Sequence, residues 1–179
     1  YKCIYNGSVA GVASTVMPTG TSTGISTTAD GYMWKFMTNI STASFSTFPS
    51  INWIPVKTLA SSDGSTQWAT QAAAVSGAVN FVRVDNGGSG YGAAPTVTVT
   101  GGDGTGLVLG TPTISGGILT SIPVVTPGTG YTYATISITG NATGHLVISP
   151  FGGHGKNIES ELAAYFVMMN IDLNTDELG

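Results

Sequence analysis

Charge is the scarcest commodity in this 179-residue chain: five basic and nine acidic residues, for a net charge of −4. Between Asn86 and Gly144 only Asp103 is charged. The five cations (Lys2, Lys35, Lys57, Arg83, Lys156) are dispersed. Phosphate backbones are held by clustered Lys and Arg, so a nucleic-acid partner is not expected. Cys3 is the only cysteine, which excludes an internal disulfide framework and a cysteine-based zinc site within the chain; it is expected to be a buried or incidental thiol. No apolar run approaches the roughly 18 residues of a membrane-crossing helix, and the N-terminus lacks the basic and apolar regions of a signal peptide. The first residue is Tyr1, not Met, and the chain is expected to be a fragment or processed piece of a longer protein.

What is abundant is glycine and threonine, 26 of each. Threonine and the β-branched aliphatics favour strands and glycine punctuates turns, so the chain reads as mainly β. A solvated monomer normally carries a more charged surface. Few charges with many Thr, Ser and Gly suit faces that pack on other protein copies.

Residues 6–29 are polar and glycine-rich and read as a long loop or arm. Met33–Ile40 alternates, with Trp34, Phe36, Thr38 and Ile40 on one face, and predicts a strand. Ile51–Val56 is a second short apolar run, with Pro49 before it; Pro55 makes it an edge strand or an extended segment. The Ala-rich stretch Gln67–Val75 fits a short helix or a strand.

The clearest internal signal is a tandem repeat. VRVDNGGSGYGAAPTVTVTGGDGTG (82–106) aligns with IPVVTPGTGYTYATISITGNATG (122–144). Gly88, Gly90 and Tyr91 match Gly128, Gly130 and Tyr131; Val97 and Val99 match Ile136 and Ile138. Each unit reads strand, glycine turn, tyrosine, strand, with aliphatics alternating against hydroxyl residues. Two such units predict a small β-sandwich or barrel built from their aliphatic faces. Gly116-Gly117, between them, predicts a tight hairpin.

His145–Ile148 reads as a short strand. Beyond the SPFGGHGKN loop, Ile158, Leu162, Tyr165, Phe166 and Met169 form one apolar stripe at helical spacing. Asn157 is a sound N-cap, Glu159 and Glu161 suit the helix start, and Asn170 is an acceptable stop. The expectation is therefore a β-sandwich-like host domain, 1–80 plus 145–179, with one amphipathic helix at about 157–169. A small all-β repeat module, 81–144, is inserted in it.

Candidate chemistry is thin. GSGYGA (88–93) matches a dinucleotide-binding string, but Pro95 and TVTVT predict that a strand follows, not the helix that would hold a pyrophosphate. Asp103 in GGDGTG stands alone, whereas calcium needs six to eight oxygens. His154 would need a nucleophile such as Ser149 or Ser160 and an acid such as Glu161, and no nucleophile elbow is present. Glu159 and Glu161 do not share a helix face. No catalytic residue, cofactor site or metal site is assigned. Tyr32, Trp34, Trp53 and Phe36 read as core aromatics before they read as a sugar platform. Asn6, Asn39 and Asn141 begin glycosylation sequons that matter only on a secretory route.

DGYMWKFMTNI (30–40) followed by FPSINWIPV (48–56) resembles a motif of the dimeric wedge subunits in the baseplates of contractile-tailed phages. FGGHGKNIESELAAYFVMMN (151–170) resembles a later block of the same family, and YKCIYN resembles the approach to the first motif. The resemblance covers about half of the chain; the tandem repeat is the departure. It implies a β-sandwich body with a helix carried in a loop, a virion protein without catalysis or cofactor, and a homodimer that joins other wedge proteins. It marks Tyr32, Trp34, Trp53 and His154 as residues that hold the fold and contact partners. The other reading is a tail-fibre or adhesin module that binds glycans through Tyr91 and Tyr131.

Overall fold

The computed structural model describes residues 1–7, 12–48 and 52–169. It is mainly β, with several antiparallel sheets and three short helices among those residues. The chain divides into two compact units, Tyr1–Ala73 with Gly155–Gly179, and Ala74–His154.

In the first unit, strands β1 (Lys2–Asn6), β2 (Ile25–Thr27) and β3 (Tyr32–Lys35) form one antiparallel sheet in the order β1-β3-β2. The described residues hold this single sheet, not the two facing sheets of the expected sandwich. The strand expected over 33–40 ends at Lys35. Phe36 and Met37 are both buried, and burial of two successive side chains is incompatible with alternation, so the chain dives into the core there. The run around Trp53 forms no strand, as Pro55 permits; Ile51 and Pro49 lie outside the described residues. Two helices intervene, α1 (Thr42–Thr47) and α2 (Thr66–Ala72). The Ala-rich segment resolves to helix because Ser65 caps it, its hydroxyl accepting from Trp68 N. Buried Gln71 then grips a neighbouring segment by accepting from Leu59 N and donating to Leu59 O, both at 3.0 Å.

The helix expected over 157–169 is one turn, α3 (Ile158–Glu161). Its start is as predicted, with Asn157 accepting from Ser160 N. Its end is a left-handed stop: Ala163 has φ 57°, Ala163 N bonds Ser160 O, and Ala164 N bonds Glu159 O. This is a Schellman closure with alanine where glycine is usual. Ile158 is fully buried, but Tyr165, Phe166 and Met169 are exposed. Beyond its first turn the apolar stripe is left largely in water, and helices depend on a covered apolar face. Asn170 lies outside the described residues.

The second unit starts and ends outside the expected 81–144. Strand β4 (Val79–Asn86) pairs with β11 (Thr143–Ile148), and the Ser149 hydroxyl, accepting from Ala78 N and donating to Val75 O, ties both ends of the unit together. The remaining strands are β5 (Val97–Thr100), β6 (Thr105–Leu109), β7 (Thr113–Ser115), β8 (Ile118–Ser121), β9 (Val124–Thr129) and β10 (Thr135–Ile138). Gly116 and Gly117, both at positive φ, make the β7–β8 hairpin.

The two repeats do not fold separately. β5 pairs with its own counterpart β10, Val97 against Ile138 and Val99 against Ile136. Since Val97 is equivalent to Ile136 and Val99 to Ile138, this register is that of a two-fold axis between the copies. β4 of the first repeat pairs with β11 of the second, and β9 of the second with β6 of the first. Where β4 is one continuous strand, its counterpart is broken into β8 and β9 by Pro123, which has no N–H to give a ladder. The shared core (Val79, Val82, Leu119, Ile122, Ile138, Ala142, Leu146) draws on both copies, so the aliphatic faces meet as expected, but by interlocking.

Two substitutions separate steric from conformational demands. A Cβ at Gly104 would lie 2.2 Å from Tyr131 Cγ, whereas at Gly90 it would meet nothing but sits at φ 79°. Gly104→Ala should destabilise by about 3 kcal/mol through overpacking and Gly90→Ala by about 1 kcal/mol through backbone strain, as read by denaturant unfolding. At the other unit, Ala163→Gly should stabilise by about 1 kcal/mol, relieving the left-handed alanine. A loss of stability there would show that the one-turn helix end is wrongly assigned.

Candidate interaction surface

The motif-matched residues fall in distinct surroundings. Tyr32 and Trp34 stand on one face of β3, rings stacked at 5.7 Å and 17°. Both are half-buried. Tyr32 donates to Val12 O, and Trp34 Nε1 donates to Thr28 Oγ1 at 3.2 Å. They pin the 12–24 loop and the turn after β2 to the sheet. That loop is organised by a residue the sequence reading passed over, Asp30. Its carboxylate accepts from Ser14 Oγ (2.6 Å), Thr28 Oγ1 (2.5 Å), Thr15 N (3.0 Å) and Val16 N (3.3 Å). The Ser14 and Thr28 hydroxyls, foremost, hold this carboxyl well below the usual carboxylate range.

Trp53 is half exposed and meets Phe166 edge-on at 4.8 Å between ring centres. Elsewhere in the same unit Phe45, Ile54, Tyr165, Val167 and Met169 are also exposed. The unit thus shows water two apolar stretches, Trp53–Ile54 and Tyr165–Met169.

Glu159 and Glu161 have separate structural duties. Glu159 accepts from Thr58 N at 2.9 Å. Glu161 is ion-paired with Lys2 at 2.9 Å and accepts from Gly155 N at 2.6 Å. Lys35, on β3, is 5% exposed and donates to Thr23 O. Burial lowers its pKa and the charge of Glu161 partly opposes this. The Glu161–Lys2 tether could not be read from local patterns, since its partners lie 159 residues apart. Cys3 is exposed, not buried, because it sits beside the sheet edge where its thiol donates only to Tyr5 O.

In the second unit, Gly88 and Gly128 share φ 64°, and Gly90 and Gly130 lie at 79° and 77°. Gly128 takes that angle inside β9, where a turn was expected. Tyr91 is spent on structure: its hydroxyl donates to Thr139 O (3.2 Å) and accepts from Asn141 N (3.1 Å) and Ala142 N (2.8 Å). Its ring lies where a Cβ on Gly140 would be, 2.7 Å from the Tyr91 oxygen. Tyr131 fills the equivalent place over Gly102 and Gly104 of the first repeat. The bonds Tyr91 N to Gly117 O (3.0 Å) and Tyr131 N to Gly77 O (3.1 Å) are likewise equivalent. Each tyrosine therefore closes the other copy's glycine turn. An open hollow of about 540 Å³ lies beside Tyr91, walled by Ala93, Ala94 and Pro95 on one side and Thr139–Asn141 on the other.

No protein-family model matches this chain, no curated protein matches its sequence, and no solved structure matches its fold.

The residues weighed for chemistry have other occupations. Gly88–Ala93 leads into β5, so there is no helix N-terminus for a pyrophosphate. The Ser149 hydroxyl is committed to Val75 and Ala78. His145 Nδ1 meets Asp85 Oδ2 at 2.8 Å, and Arg83 Nε meets Asp85 Oδ1 at 3.3 Å, all exposed. His154 is half-buried in the GGHG loop, whose Gly153 lies so close to Val75 that a Cβ would be 2.4 Å from its nitrogen. Among the described residues no three His, Cys, Asp or Glu side chains gather as a metal site, and no helix is long and apolar enough to cross a membrane.

Tyr91→Phe should cost about 2 kcal/mol in denaturant unfolding, since it strips the part-buried Ala142 N–H of its acceptor. The Asp30 carboxyl should titrate well below an ordinary aspartate by carbon-13 NMR. A depressed acid supports the fold in full above its unfolded value, near pH 4, and loses that support progressively as pH falls from there to the lower folded value. The 12–24 loop that Asp30 holds should therefore stay protease-resistant at pH 4, and Asp30→Asn should expose it to cleavage at pH 7.

Proposed function

We propose that this chain is a non-catalytic structural subunit of a contractile phage tail, a baseplate wedge component that works through protein–protein interfaces. The observation that carries the reading is the apolar surface of the first unit. Trp53, Ile54, Tyr165, Phe166, Val167 and Met169 are all more than half exposed, the two stretches meet at the Trp53–Phe166 ring contact, and exposed apolar surface that joins up in this way marks places that other proteins cover. These residues fall in the two blocks whose sequence resembles the wedge family. The scarcity of charge is consistent with close packing against neighbours, and the reading places the protein in the virion as a homodimer beside other wedge proteins. The glycan-binding alternative is less well supported: the Tyr91 hydroxyl has no capacity left for a sugar, and the hollow beside it is walled largely by small apolar groups.

Mass spectrometry of purified particles should find this polypeptide in the tail baseplate; its absence from particles, or its confinement to fibre tips, overturns the reading. The paired change Trp53→Ala and Phe166→Ala should alter unfolding free energy by less than about 1 kcal/mol, because both side chains are exposed, yet reduce incorporation into particles. Normal incorporation would remove these residues from the interface.

A further inference from the structure

We infer that the repeat module is a strand-exchange interface whose partner is a second copy of this chain. Every sheet that joins the repeats pairs a strand of one with a strand of the other: β5 with β10, β4 with β11, β6 with β9. The tyrosine clamps and the Tyr91–Gly117 and Tyr131–Gly77 bonds also cross between copies. The module is thus a dimer of half-modules fused in one chain. None of these contacts requires that its two halves belong to the same polypeptide.

The fusion runs through Gly110, Thr111 and Pro112, between β6 and β7. It is held by one backbone bond, Gly110 N to Pro123 O at 2.8 Å. The residue before a proline is biased toward extended backbone, so this link favours an outstretched as well as a returning path. If it opens, the first repeat of one chain pairs with the second repeat of another in the registers already described. The exchanged dimer retains every cross-repeat contact. The first unit is built from residues on both sides of the module, 1–73 and 155–179, so its two pieces are then supplied by different chains and its contacts are retained in the same way. The link and the cost of association therefore distinguish the dimer from the monomer, and concentration decides between them. The contacts being exchanged are distant in sequence, as with Arg83 and His145, and such contacts form slowly. That leaves time during folding for a second chain to supply them. This device is independent of the first unit's apolar surface and of the assembly role proposed above.

The test uses the full chain. The Thr100 and Thr135 hydroxyls meet at 3.0 Å across β5 and β10, so T100C with T135C, in a C3S background, reports on that pair. The variant is unfolded under reducing conditions, refolded at two concentrations tenfold apart, then oxidised. Non-reducing gels should show disulfide-linked dimers whose ratio to internally linked monomer rises about tenfold with concentration. Only internally linked monomer at both concentrations overturns the proposal. So do dimers by light scattering without interchain disulfides, which would instead belong to the first unit's surface. If the cysteine variant does not refold, the wild-type chain is refolded as an equal mixture of carbon-13-labelled and unlabelled protein. Interchain contacts between the Val99 and Ile136 methyls are then expected, and dimers without them overturn the proposal.

Discussion

The reciprocal seating of Tyr91 and Tyr131 in each other's glycine turns is the constraint on which the repeat module rests. Each ring occupies space that only a residue without a side chain can leave open: Gly140 for Tyr91 and Gly104 for Tyr131. The Tyr91 hydroxyl then satisfies two backbone N–H groups and one carbonyl of the opposite copy. Two-stranded sheets are marginal alone, and all four sheets of this unit are two-stranded. Their stability therefore has to come from the core they share and from the clamps that hold the copies in register. The glycine content looked at first like turn punctuation, but Gly104 and Gly140 are the negative image of two tyrosines.

Much of this was legible in the sequence. The repeat shows itself because the same Gly and Tyr demands recur at matching positions, and the Gly116-Gly117 hairpin because two adjacent glycines supply two positive φ angles. What could not be read was which copy each strand pairs with. TVTVT and TISIT carry the same alternation whether they face within or between repeats, so pattern fixes the buried face but not the partner. The module's true extent was hidden for a similar reason, since Ser149 and Ala78 are joined through a hydroxyl whose partners lie 71 residues apart.

The host unit was less legible, and the failures share one cause. The stripe from Ile158 to Met169 has helical spacing, but spacing becomes a helix only where the apolar face is covered. Only Ile158 is fully buried, and Ala163 turns left-handed. Likewise the alternation at Met33–Ile40 yields to the burial of Phe36 and Met37 together. Asp30 and Glu161 went unnoticed as organisers because their partners are loop hydroxyls, backbone amides and a lysine remote in the chain. For function the sequence supplied a resemblance in two blocks. The structure adds that Trp53, Tyr165, Phe166, Val167 and Met169 within those blocks stand exposed.

Native-state hydrogen exchange on the second unit tests the interlocking most directly. The amides of Tyr91, Tyr131 and Ala142 are all bonded across the copies. If the repeats cannot open separately, all three should exchange with one opening free energy, equal to that for unfolding the whole module. If the amides bonded to one repeat exchange at a clearly lower free energy than those bonded to the other, the two copies fold independently and the interlocked account is wrong.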